Sequence, residues 1–103
     1  MKNTIRLSAV LLATTVLPVA AQSDVRMGER LYQENCASCH GANLEGQLDW
    51  RSRLPNGRLP APPHDASGHT WHHPDRVLLD IVKRGPAAIV GNGYESDMPE
   101  YED

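Results

Sequence analysis

Three stretches of the chain carry a readable pattern of apolar and polar positions. The first is LSAVLLATTVLPVAA, residues 7–21, with Lys2 and Arg6 ahead of it and Pro18, Ala20 and Ala21 at its end. Its 15 residues are interrupted by Ser and Thr, so it falls short of the roughly 20 needed to span a bilayer. A basic start, an apolar run and small residues at the end read as a secretory signal peptide, residues 1–21, cleaved near Ala21. The second stretch, SDVRMGERLYQEN, places Val25, Gly28, Leu31 and Tyr32 on one helical face behind Ser23 or Asp24 as N-cap. The third, HHPDRVLLDIVKRG, has the clearest helical design. His72 or His73 stands at the cap, Pro74 at the first helical position and Asp75 in the first turn. Val77, Leu78, Ile81 and Val82 form its apolar stripe, and Lys83, Arg84 and Gly85 close it.

Between and after these helices the pattern disappears. Residues 41–70 hold Gly41, Gly46, Pro55, Gly57, Pro60, Pro62, Pro63 and Gly68 with neither a helical nor a strand period. Residues 86–103 are expected to be irregular as well, with Gly91 and Gly93 permitting tight bends. A loop of such length in a small domain is usually functional or wrapped around something. The expectation is a mainly α chain of two helices and two long loops.

Composition adds a constraint. Cleavage after Ala21 leaves 82 residues with eight basic against thirteen acidic side chains, a net charge of −5. That balance argues against a nucleic-acid partner. A chain this short and polar, with no Phe, buries too little apolar surface to offset its conformational entropy unaided. A disulfide, a metal or a covalently held cofactor has to make up the difference.

The two cysteines lie in CASCH, Cys36 and Cys39 with His40 directly behind. On a helical turn these spacings bring two thiols and one imidazole to one face. A disulfide across so short a loop stabilises little, and a thioredoxin-like pair belongs in a βαβ pattern for which no strand signal exists. A Cys₂His₂ zinc set could draw two ligands from His64, His69, His72 and His73, but it leaves His40 without a role. Haem c attachment uses all three: both sulfurs add to the vinyl groups and the histidine ligates iron. For the second axial position, Met1 leaves with the signal peptide and Met27 lies nine residues before Cys36 in the same helix. Met98, followed by Pro99, is the methionine able to cross the opposite face; its other reading is a gap-filling apolar side chain.

GERLYQENCASCHG followed much later by SDMPEY resembles the small soluble class I c-type cytochromes, exported bacterial monohaem proteins. The resemblance runs from about Val25 to Glu102 and implies a cytochrome c-like fold of helices and long loops around one covalent haem. It implies His40 as proximal and Met98 as distal iron ligand. It also implies a proline carbonyl within LPAPP, at Pro60 or Pro62, accepting the free N–H of the proximal histidine. Gly28 and Tyr32 match the family's N-terminal helix, which a C-terminal helix crosses. The sequence given stops five residues after Met98, so that helix is expected to be missing here.

The remaining candidates follow from position. His64, His69, His72 and His73 with Asp65 and Asp75 form either a solvated loop and helix cap or a second metal site. Trp71 is expected near the haem edge, where it or a histidine donates to a propionate. Arg51, Arg53 and Arg58 are expected on a solvated loop face. The function these readings converge on is single-electron transfer between periplasmic donor and acceptor proteins by a monomer with no stable membrane insertion. The alternatives are an open-site haem protein of peroxidase-like or gas-binding type, and a Cys/His metal-binding module.

Overall fold

The computed structural model describes residues 19–102. The proposed signal peptide lies mostly outside the described residues. Among those residues the chain is helical, with no strand, in the order α1 (Val19–Asn35), α2 (Ala37–His40), a 3-10 turn (Thr70–His72) and α3 (Asp75–Val90). This is the mainly α architecture expected of a cytochrome c-like fold.

Helix α1 is already running at Val19, ahead of the expected cap at Ser23 or Asp24. The alanines there favour helix, and Ser23 Oγ donates back to Ala20 O at 2.7 Å instead of capping. The helix ends where Cys36 departs to φ −119°, ψ −35°. A single further turn then carries Cys39 and His40. Their amides donate to Cys36 O at 3.1 and 2.9 Å, which realises the helical spacing the motif requires.

Helix α3 starts one residue later than expected, with Pro74 as the cap at ψ 151° and its carbonyl accepting from Val77 N and Leu78 N. Gly85 ends the first helical run, as its sequence position suggested, at φ 76°, ψ 154°. The chain does not then become irregular. Pro86 restarts a short helical segment over residues 86–90, closed by Gly91 N donating to Ala87 O. A proline needs no amide partner at the first helical position, which explains the restart.

The segment after α3 returns to contact both α3 and α1. Tyr101 N–H is shared between Val82 O and Lys83 O at 3.0 and 3.1 Å, orphan carbonyls at the end of the first run of α3. The Tyr101 hydroxyl donates to Asn35 O at the end of α1, 3.1 Å away. The return passes so close to Gly85 that a Cβ there would lie 3.7 Å from Met98 O. Among the described residues no hydrophobic side chain is buried; Val25, Met27 and Leu31 on α1 are all exposed, and a Cβ on Gly28 would meet nothing within 4 Å.

Gly85 therefore holds a backbone conformation that is essentially confined to glycine. Gly85→Ala should lower the unfolding free energy by about 1–3 kcal/mol, read by denaturant melts of the haem-loaded protein. An unchanged midpoint would show that the break in α3 is not fixed by this residue.

Candidate functional site

His40 is the one buried polar side chain among the described residues, 7% exposed. Its Nδ1 lies 2.8 Å from Pro62 O. A carbonyl only accepts, so the proton resides on Nδ1 and Nε2 keeps a lone pair for a metal. Of the two prolines open in the sequence, Pro62 is the partner.

The loop reaches His40 through a set of backbone clamps. Gly46 N donates to His40 O at 2.7 Å, Gln47 N to Ala61 O at 2.9 Å and His64 N to Leu44 O at 2.9 Å. Gln47 Oε1 returns the contact by accepting from Ala61 N at 2.8 Å. Gly46 at φ 69° is where the two halves of the loop meet most closely: a Cβ there would stand 2.5 Å from Pro63 N and 2.7 Å from the Pro62 carbonyl carbon. Tyr32 supports the attachment turn from α1, its hydroxyl donating to Gly41 O at 2.7 Å.

Cys36, Cys39, His40, Ala61, Met98, Pro99 and Tyr101 share the walls of one cleft with Asn35 and Asp97. No disulfide joins the two cysteines, and before any attachment burial pushes the Cys36 thiol up from its ordinary pKa. Met98 is brought to the cleft by the return segment, which Arg58 ties back through Asp97 and, at 3.6 Å, Glu95. Arg58 thus has a structural partner, while Arg51 lies 4.2 Å above the Trp50 ring. Met27 is elsewhere, on α1, with Arg30 Nη2 2.8 Å from its sulfur.

Trp71 and His64 stand differently toward the cleft. Trp71 is 73% exposed, donates from Nε1 to Gly68 O at 3.0 Å and does not line the cleft. The 3-10 turn that contains it leaves the indole in solvent. His64 stacks on His40 with ring centroids 4.1 Å apart and reaches Thr70 Oγ1 at 2.7 Å through Nδ1. Burial, then the neighbouring His40 and His69, lowers its pKa to about 4. No signal in the sequence ties His64 to His40 across 24 residues of irregular chain. The histidines that do gather, His69, His72 and His73, include neither cysteine, so the Cys₂His₂ zinc set is not assembled among the described residues.

An imidazole held through Nδ1 by a carbonyl, directly behind two cysteines on one turn, fits haem c attachment and defines a c-type cytochrome domain. Residues 23–103 match the family model for cytochrome c oxidase, cbb3-type, subunit III, and the chain belongs to that family. It carries covalent haem c with its iron. The chain is 46% identical over 46 residues to the cytochrome bc1 complex cytochrome c subunit of Mycobacterium tuberculosis (strain ATCC 25618 / H37Rv), covering 42% of this chain and 16% of that protein. It is 43% identical over 42 residues to cytochrome c-555 of Prosthecochloris aestuarii, covering 35% of this chain and 42% of the relative. The chain thus spans under half the length of these relatives. No solved structure matches it.

Gly46 has no room for a side chain against the backbone that positions Pro62. Gly46→Ala should cost more than the roughly 1–2 kcal/mol of a left-handed backbone alone and should move the Pro62 carbonyl off His40. The checks are a denaturant melt and the proximal-histidine NMR signals of the haem-loaded protein, with wild-type behaviour in both counting against the clamp.

Proposed function

We propose that this chain carries single electrons between redox proteins outside the cytoplasm, with His40 and Met98 as the axial ligands of the haem iron. When bound, the haem supplies one-electron cycling between Fe(III) and Fe(II). The observation that carries the reading is that Cys36, Cys39, His40 and Met98 all line one cleft. Cys36 and Cys39 provide the thioether sulfurs, and His40 presents Nε2 while Pro62 O holds Nδ1. Met98 provides a thioether sulfur of the kind that raises a haem potential.

The same reading assigns residues 1–21 as a cleaved leader, the periplasm as location, and donor and acceptor proteins as partners of a monomeric carrier rather than an enzyme. No described helix is long and apolar enough to cross a membrane. The names of the relatives, a subunit of a bc1 complex and a cytochrome c-555, are consistent with a place among electron carriers.

Three variants test the assignment. Cys36→Ala with Cys39→Ala should abolish covalent haem, whereas the wild-type mass should exceed the polypeptide by one haem. A wild-type mass of polypeptide alone, in cells with haem-attachment machinery, would overturn the reading. Met98→Ala should abolish the methionine-to-iron charge-transfer band, convert the iron to high spin or misligation and lower the potential, while Met27→Ala leaves all three unchanged. A high-spin wild-type spectrum would instead support an open-site haem protein.

A further inference from the structure

The cleft accounts for His40, on which His64 stacks, but three other histidines have also been brought together. His69 precedes the 3-10 turn Thr70–His72, His72 closes it and His73 follows. In that turn, positions three apart eclipse one another, which places His69 beside His72 even though the segment is short. The His69 ring centroid lies 5.7 Å from that of His72 and 5.5 Å from that of His73, and the last two are 4.7 Å apart. One ring nitrogen from each of the three falls within 4.8 Å of the other two.

The three differ from the other histidines in their freedom. His40 and His64 each spend a ring nitrogen on another residue, Pro62 O and Thr70 Oγ1. No hydrogen bond among the described residues ties a ring nitrogen of His69, His72 or His73 to another residue. His69 and His72 are exposed and His73 half-buried, so an ion has direct access. Trp50 packs against His69 at 5.5 Å and limits its motion from one side, and the nearby Arg51 is engaged over that indole.

We propose that His69, His72 and His73 form a second metal site, binding one divalent transition ion of the zinc or copper class through three imidazole nitrogens. Imidazole suits both ions. Tetrahedral bonds of 2.0–2.1 Å put ligand nitrogens about 3.4 Å apart, so side-chain rotation of the order of 1 Å closes the set. Solvent water completes the fourth position. The site is distinct from the haem site and involves no electron or group transfer.

The test uses the haem-loaded full chain, in which both cysteines are consumed as thioethers and cannot compete. Titration with ZnCl₂ by calorimetry should give one ion per chain, and Cu²⁺ should show electron paramagnetic resonance with coupling from three nitrogens. His69→Ala, His72→Ala and His73→Ala should each weaken binding at least about tenfold with an unchanged haem spectrum. Because a variant could disturb the turn, the wild-type protein is also treated with diethyl pyrocarbonate: bound Zn²⁺ should protect these three histidines from modification. Absence of stoichiometric binding overturns the proposal. So does binding that survives the triple His→Ala variant, or a Zn²⁺-loaded protein in which the three histidines are still modified.

Discussion

The hydrogen bond between His40 Nδ1 and Pro62 O joins positions 22 residues apart, and the rest of the site depends on it. A histidine on a short helical turn can rotate and exchange its proton between two nitrogens. A carbonyl set against Nδ1 removes both freedoms, leaving one nitrogen with one lone pair in a fixed direction. Pro63 follows Pro62 and holds it extended, outside any helical ladder that would otherwise take its carbonyl. The glycine at position 46 lets the outgoing and returning halves of the loop approach to backbone contact.

A chain that buries no hydrophobic side chain among its described residues has little with which to oppose about 1–2 kcal/mol of backbone entropy per ordered residue. Its order comes from point contacts of polar side chains and backbone groups with backbone: Tyr32 on Gly41, Gln47 on Ala61, Tyr101 on α1 and α3. Each contributes on the order of 1 kcal/mol. A covalent haem offers the apolar surface that the side chains do not provide, and the family membership supplies the reason it is there.

Local chemistry was legible in the sequence, and long-range placement was not. Val77, Leu78, Ile81 and Val82 announce α3 because a helical period is written in adjacent residues, and CASCH announces its chemistry because two thiols and an imidazole must share one turn. Gly85 was readable as a stop; the restart at Pro86 was not, since proline marks the end of one helix and the beginning of another with equal force. The stack of His64 on His40 and the pairing of Arg58 with Asp97, 39 residues away, depend on the path of a loop with no period of its own. The exposed position of Trp71 depends on the same loop path: its nearness in sequence to the histidines says nothing of where a 3-10 turn leaves it.

The Met98 segment is held at its two ends by bonds of different kinds. On one side stand ion pairs from Arg58 to Asp97 and Glu95, which mobile ions weaken; on the other, Tyr101 shares its amide with two helix carbonyls, which salt leaves nearly untouched. The two anchors therefore answer differently to ionic strength: added salt weakens the one at residues 95–97 and leaves the one at Tyr101 in place. The side of the cleft that carries Met98 is thus tied down in part by charge, whereas the side that carries Cys36, Cys39 and His40 is tied by the uncharged contacts of Tyr32 and Pro62.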